Sequence, residues 1–256
     1  MRPEARREHI LEAVLDGPIS VEELADRFGV TASTIRRDLA QMKSAGLLLR
    51  TYGGAASALQ EQGIDEREQL ARQEKAAIAR VAATYVEDGH QVYLDAGTTC
   101  GALAGLLVKR HDLTVVTSGL SAIDALSRAE AVETILLGGS LRAVSRATVG
   151  PYAELVMRRL QLTTAFLGAD AVDPDQGLCE ASPAQAALKD LVISRASTVV
   201  VVADSTKLGT ADDASGRVWT PLDVPWTLVT DWRATPAQLA PFRRLPACTV
   251  QVARPL

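Results

Sequence analysis

Six short apolar runs, VYLD, LTVVT, TILLG, TAFLG, TVVVVAD and WTLVTD, recur between residues 92 and 231, with helix-length segments separating most of them. Strands that are apolar on both faces must be covered on both faces, and helix-length connections make neighbouring strands parallel. This pattern dictates an α/β fold with a mostly parallel sheet between two helical layers. No internal repeat or low-complexity tract competes with it.

The runs end in small and polar residues. Asp95-Ala96-Gly97-Thr98-Thr99 follows the first, Thr117-Ser118-Gly119 the second and Gly138-Gly139 the third. Gly168-Ala169-Asp170, Asp204-Ser205 and Thr230-Asp231 follow in turn. These residues gather on the carboxyl edge of the sheet, where open α/β sheets bind ligands. At DAGTT, Gly97 lets the backbone approach a ligand, Thr98 and Thr99 offer hydroxyls, and the first N–H groups of a following helix favour an anion such as a phosphate. From spacing alone an equal alternative stands beside this, in which Thr98 only caps a helix and Asp95 only bonds a neighbouring turn. Arg142 and Arg146 lie just past one strand end, Asp170, Glu180 and Lys189 past another, and Lys207 past a third. Any one of these reads as a solvated loop charge; their recurrence at successive strand ends argues for a site.

The first sixty residues follow a different pattern. Ile10, Leu11, Val14 and Leu15 make an apolar helical stripe that Gly17-Pro18 ends. Ser20 and Glu23 form a capping box for a short second helix, Gly29 allows a tight turn, and Thr31 caps a third helix that Gly46 closes. In that third helix Ile35, Leu39 and Met42 face inward while Ser33, Thr34, Arg36, Arg37 and Lys43 face away. LLLRTYGGAASAL then reads as strand, glycine turn, strand. Helix, turn, helix and wing in this order form a winged helix-turn-helix. Ser33, Thr34, Arg36 and Arg37 are its candidates for the major groove or its phosphates. Lys43, Arg50 and Tyr52 are candidates for the backbone or the groove rim, and Gly53-Gly54 for close passage of a phosphate. The alternative is a three-helix packing unit with solvated arginines.

Charge fits the DNA reading once it is divided along the chain. The net charge is −4, but residues 1–60 carry eight basic and eight acidic residues, and within 31–58 four basic residues face the single acid Asp38. Such a local basic patch attracts phosphate whatever the total charge. No apolar run approaches the length of a membrane span, and the charged start lacks the core of a signal peptide, so a cytoplasmic, non-membrane protein is expected. Cys100, Cys179 and Cys248 are widely spaced, as are His9, His90 and His111. They match neither a disulfide framework nor a metal motif, so no metal and no cofactor are expected.

TIRRDLAQMKSAGLLLRTYGGA resembles the DNA-binding half of DeoR-type (deoxyribose-operon repressor) bacterial regulators. The rest resembles their sensor half in motif order: DAGTT, VTSGL, LGGSLR, FLGADAVD, GLCE with a lysine nine residues on, VVADSTKLG and LVTD. The resemblance implies a winged helix-turn-helix over 1–58, a linker over 59–72 and a sugar-phosphate isomerase-like α/β sensor over 73–256. It also implies a regulator, usually a repressor, that binds double-stranded promoter DNA under control of a phosphorylated sugar or polyol. By position it carries ligand-site expectations onto Asp95, Gly97, Thr98, Thr99, Arg142, Asp170, Glu180, Lys189 and Lys207; the strand-end residues Thr117 and Gly139 join them. Four basic residues per subunit are few for tight DNA binding, which argues for a homo-oligomer, a dimer or tetramer, on paired half-sites. No catalytic residue is assigned. The alternative is an isomerase with a DNA-binding appendage, with Glu180 as base and Lys189 or Lys207 as electrostatic stabiliser.

Overall fold

The computed structural model describes residues 6–7, 9–10, 13, 19–44, 48–51, 54–57, 63–209 and 217–255, with backbone alone for residues 40, 42–44, 48–51 and 54–57. The chain divides into two compact units, Met1–Glu61 and Gln62–Leu256.

In the first unit, strand β1 (Ile19–Ser20) leads into helix α1 (Val21–Phe28). The expected capping box is present: the Ser20 side chain accepts from the Glu23 N–H at 3.1 Å, and Glu23 accepts from the Ser20 N–H at 2.8 Å. Gly29 closes α1 in a left-handed conformation (φ 62°), as a tight turn requires. Helix α2 (Ala32–Ser44) follows, and Thr31 caps it by accepting the Thr34 N–H at 3.3 Å. Ile10, Ala13, Val21, Leu24, Ala25 and Ile35 form the core. Strands β2 (Leu48–Thr51) and β3 (Gly54–Ser57) pair antiparallel as a hairpin, and β1 adds to β3, completing the sheet of a winged helix. The two-residue β1 was not legible in advance. Gly46, Gly17-Pro18, Tyr52 and Gly53 lie outside the described residues.

The second unit opens with helix α3 (Ile64–Gln69), in a stretch expected as a polar linker, followed by α4 (Arg72–Ala83). Seven strands form the central sheet: β4 (Gln91–Leu94), β5 (Leu113–Thr117), β6 (Val132–Leu136), β9 (Leu162–Leu167), β12 (Ala196–Val202), β14 (Trp226–Asp231) and β15 (Cys248–Ala253). Their spatial order is β15-β14-β12-β9-β4-β5-β6, and every pair is parallel. Helices α4, α5 (Thr98–Leu107) and α6 (Leu120–Leu126) cover one face. Helices α7 (Pro151–Met157), α8 (Pro183–Arg195) and α9 (Pro236–Arg244) cover the other. Strand β12 displays the reason for the two-sided apolar runs: Val199 and Val201 enter one core, Val200 and Val202 the other.

Two antiparallel additions were not anticipated. Strands β7 (Ser140–Arg142) and β8 (Ala147–Val149) form a hairpin, and β10 (Ala171–Asp173), β11 (Gly177–Glu180) and β13 (Val218–Thr220) form a small sheet. From β4 the chain builds outward through β5 and β6, then returns to build the other half from β9. The sheet's order therefore reverses between β4 and β9, the topological switch point at which α/β sheets open a ligand crevice.

Candidate functional site

A cleft lies at this switch point. Asp95, Gly97, Thr98 and Thr99 enter it from the end of β4 and the start of α5, Gly168 and Asp170 from the end of β9, and Glu180 from β11. Lys189 comes from α8 and Lys207 from the 3-10 turn Ser205–Lys207. Eight of the eleven ligand-site candidates therefore meet in one place, with the strand-end residue Gly168 beside them. Three others do not line it. Thr117 is fully buried, donating to the Leu94 carbonyl at 2.7 Å and accepting from the Gly119 N–H at 3.0 Å, so it fixes the β5 end. Gly139 (φ 137°) begins the β7–β8 hairpin, where an added Cβ would meet the Val149 carbonyl oxygen at 2.4 Å. Arg142 is on β7, opposite Ala147.

The cleft centre is a carboxylate-ammonium cluster. Asp95 Oδ2 accepts from the Gly168 N–H at 3.2 Å, Oδ1 accepts from the Ala96 N–H at 2.8 Å, and Lys189 Nζ lies 3.0 Å from Oδ2. Lys189 also pairs with Glu180 and donates to the Gly168 carbonyl. Burial pushes the Glu180 carboxyl up to about 7, against the opposing pull of Lys189. Burial alone would lower the Lys189 ammonium, but Asp95 and Glu180 more than reverse that and raise it. A lysine enclosed by two carboxylates is a structural keystone: its removal would leave both carboxylates buried without a counter-charge.

The rim has a different character. Helix α5 starts at Thr98 behind Gly97 (φ 137°) with no side-chain cap, so its first-turn N–H groups and the positive end of its dipole are left for a ligand. Lys207 Nζ donates to the Ala169 carbonyl at 2.6 Å and has no carboxylate within ion-pair distance among the described residues. Asp204, at the cap of the Lys207 turn, accepts from the Thr206 N–H at 3.2 Å, and Asp231 accepts from the Ser205 N–H at 2.6 Å. These carboxylates hold the loop that carries Lys207. Asp170 is engaged twice, by Arg217 Nη1 at 2.6 Å and by Arg67 Nη1 at 3.4 Å.

Sequence reasoning missed Arg67, Ser145 and Gln185, which also line the cleft. Ser145 Oγ and Gln185 Oε1 are buried without a hydrogen-bond partner among the described residues, a costly condition that a ligand hydroxyl would relieve. Gln185 was within reach of sequence analysis: it lies four residues before Lys189 on α8, hence on the same helix face. Thr98 also lines a neighbouring cavity of about 340 Å³, together with Arg72, Lys75 and Arg146. Burial, then repulsion from Lys207, pushes the Lys75 ammonium down to about 8.

On the first unit, Ser33, Arg36 and Arg37 are exposed on α2, on the side away from Ile35 and Leu39. Thr34 is half-buried, its hydroxyl 2.9 Å from that of Thr31. The one acid in the basic stretch, Asp38, is buried and paired with Arg6 at 2.6 Å, so it does not offset the exposed arginines. Among the described residues, Arg36 makes a loose, solvent-exposed contact with Glu22 at 3.6 Å. The side chains of Lys43 and Arg50 lie outside what is described, and Gly54 is the first residue of β3.

Comparisons with known proteins agree with this division. Residues 6–61 match the family described as DeoR-like helix-turn-helix domain, and residues 70–231 match DeoR C terminal sensor domain. The transcriptional repressor AccR of Agrobacterium fabrum is 37% identical over 207 residues, covering 79% of this chain and 80% of its own length. The lactose phosphotransferase system repressor of Lactococcus lactis subsp. lactis is 30% identical over 249 residues, covering 94% and 96%. Among solved structures, ribose 5-phosphate isomerase A of Methanocaldococcus jannaschii covers 54% of each chain at 19% identity, with a TM-score of 0.40. On the family matches to both units and the identity to these repressors, the chain belongs to the DeoR family of helix-turn-helix transcription regulators.

Proposed function

We propose that this regulator represses an operon for sugar or polyol catabolism, and that a phosphorylated intermediate of that pathway controls it from the switch-point cleft. The observation that carries this reading is the uncapped start of α5 facing the same cleft as Lys207, an ammonium without a carboxylate partner among the described residues. Backbone N–H groups, a helix dipole and an unmatched cation together suit a dianionic phosphate. The unpartnered Ser145 and Gln185 suit the hydroxyls at the other end of a sugar or polyol. The names of the relatives, one of them a lactose phosphotransferase system repressor, point the same way.

The cleft acts by binding rather than turnover. Glu180, the base that an isomerase would need, is closed against Lys189. On the DNA side, Ser33, Thr34, Arg36 and Arg37 enter the major groove or grip its phosphates, while Lys43, Arg50, Tyr52, Gly53 and Gly54 serve the flanking backbone. Two or four copies supply the number of phosphate contacts that tight binding needs.

Fluorescence anisotropy of the protein on its own upstream DNA, at stated salt, tests the reading with a panel of phosphorylated and unphosphorylated sugars and polyols. Release by one phosphorylated compound and indifference to its unphosphorylated counterpart is the expected result. Release by an unphosphorylated sugar, or aldose–ketose interconversion that Glu180→Gln abolishes, would overturn it.

A further inference from the structure

Helix α3 is the first element of the second unit, beginning at Ile64 where the unit begins at Gln62. It carries one apolar side chain, the buried Ile64, so packing alone holds it weakly. Polar ties hold it instead. The Ile64 N–H donates to the Val144 carbonyl at 3.1 Å, next to the cleft residue Ser145. Arg67 reaches into the cleft to Asp170. The buried Lys75 ammonium donates to the Arg67 carbonyl and, at 2.7 Å, to the Leu70 carbonyl, closing the end of the helix. One of these ties therefore runs to a cleft residue and a second to the neighbour of one.

The Arg67 contact is the looser of the two that Asp170 makes, 3.4 Å against 2.6 Å for Arg217. If Arg67 left, Asp170 would still be paired. A guanidinium that exchanges a carboxylate for a phosphate keeps a charge-assisted bond of similar strength and gains the option of a bidentate one. The two arrangements are thus close in energy, which is what a ligand-switched element requires.

Resting on the reading of the cleft as an effector site, we propose that Arg67 is an unassigned ligand-contacting residue, and that α3 reports occupancy. An anion at the start of α5 draws the Arg67 guanidinium from Asp170, and α3 shifts with it. Coupling then needs no long internal pathway, because the helix that senses the ligand starts at Ile64, three residues after the first unit ends at Glu61.

Hydrogen exchange read by mass spectrometry on the full chain tests this, with inorganic phosphate as the probe against chloride at equal ionic strength. At about ten times the dissociation constant of phosphate, amides at 97–100 should exchange about tenfold more slowly. In the wild-type protein, amides at 64–72 should change by at least about threefold in the same titration. Arg67→Gln forfeits a phosphate contact, so it is titrated to the same multiple of its own, weaker dissociation constant; there it should show the first response and lose the second, and Arg67→Lys should restore part of it. A response at 97–100 with none at 64–72 in the wild type would overturn the proposal and leave the effector site standing. So would an α3 response that survives in Arg67→Gln. Silence in both regions would overturn the anion site and this inference together.

Discussion

Asp95 and Gly168 join the ends of adjacent strands β4 and β9 across the switch point, the carboxylate accepting the glycine N–H at 3.2 Å. The same oxygen lies 3.0 Å from Lys189 Nζ, so one side chain both clamps the sheet and neutralises the buried ammonium. Asp95→Ala unties the two strand ends and leaves Lys189 to Glu180 alone. It should destabilise the protein by about 2 kcal/mol, the usual cost of losing a hydrogen bond to a charged group. Urea unfolding measures this; a loss under about 1 kcal/mol would mean that water replaces the carboxylate freely.

The raised pKa of Glu180 makes stability depend on pH in a definite direction. Its folded-state value, about 7, lies above the unfolded value, so its contribution is fully present below about 4.5 and is lost as pH rises toward 7. The urea midpoint of the wild type should therefore fall between pH 5 and 8 more steeply than that of Glu180→Gln. Parallel slopes for the two proteins would remove Glu180 as the source.

Lys207→Met removes the cation at the cleft rim and spares the Asp95–Glu180–Lys189 cluster. Affinity for the phosphorylated effector should fall about tenfold or more, as for loss of one charge-assisted bond, while DNA binding without effector stays as in the wild type. Isothermal titration and anisotropy on the same preparation separate the two quantities. An unchanged effector affinity would move the phosphate elsewhere in the cleft.

On the DNA side, Arg36→Ala and Arg37→Ala should each weaken operator binding, and each should reduce the salt slope by about 1 for every phosphate left without its cation. Titrations between about 50 and 200 mM salt give that slope. A weakened affinity with an unaltered slope would mark the residue as a base contact instead.

Arg6→Ala would strand Asp38 in the core of the first unit, where the two now pair at 2.6 Å. That unit should melt at a lower temperature, and Asp38→Asn in the same background should recover part of the loss, because an amide tolerates burial better than an unpaired carboxylate. Calorimetry follows both. An Arg6→Ala protein that melts as the wild type does would show that Asp38 finds another partner.

The central sheet was legible because strands buried on both faces have no polar alternation to obscure them. β15 was not recognised for the converse reason: it lies at the sheet edge with Thr249 and Val252 exposed, and Thr249 and Gln251 interrupt any continuous apolar run in Cys248–Ala253. The strand-end residues pointed to the cleft because a parallel sheet collects all its carboxyl ends on one edge. Which of them face inward was a matter of loop geometry, and Thr117 turned out to be occupied in holding β5. Arg67 left no trace in the sequence. In a helix of six residues with charges at Asp65, Glu66, Arg67 and Glu68, no periodicity marks the one cation that reaches inward. β10, β11 and β13 are three or four residues long, too short for a pattern to emerge, although β11 carries Glu180.

Ser145 and Gln185 contribute little to the architecture: one lies in a hairpin turn and the other in the first turn of α8. The cluster that clamps β4 to β9 lies apart from them in the chain. On the proposed reading of the cleft, a lineage of such proteins is therefore able to exchange one metabolite for another by altering two cleft-lining side chains while the clamp is inherited unchanged. The same separation makes these two positions the natural place to randomise when a regulator of this kind is converted into a biosensor for a different compound.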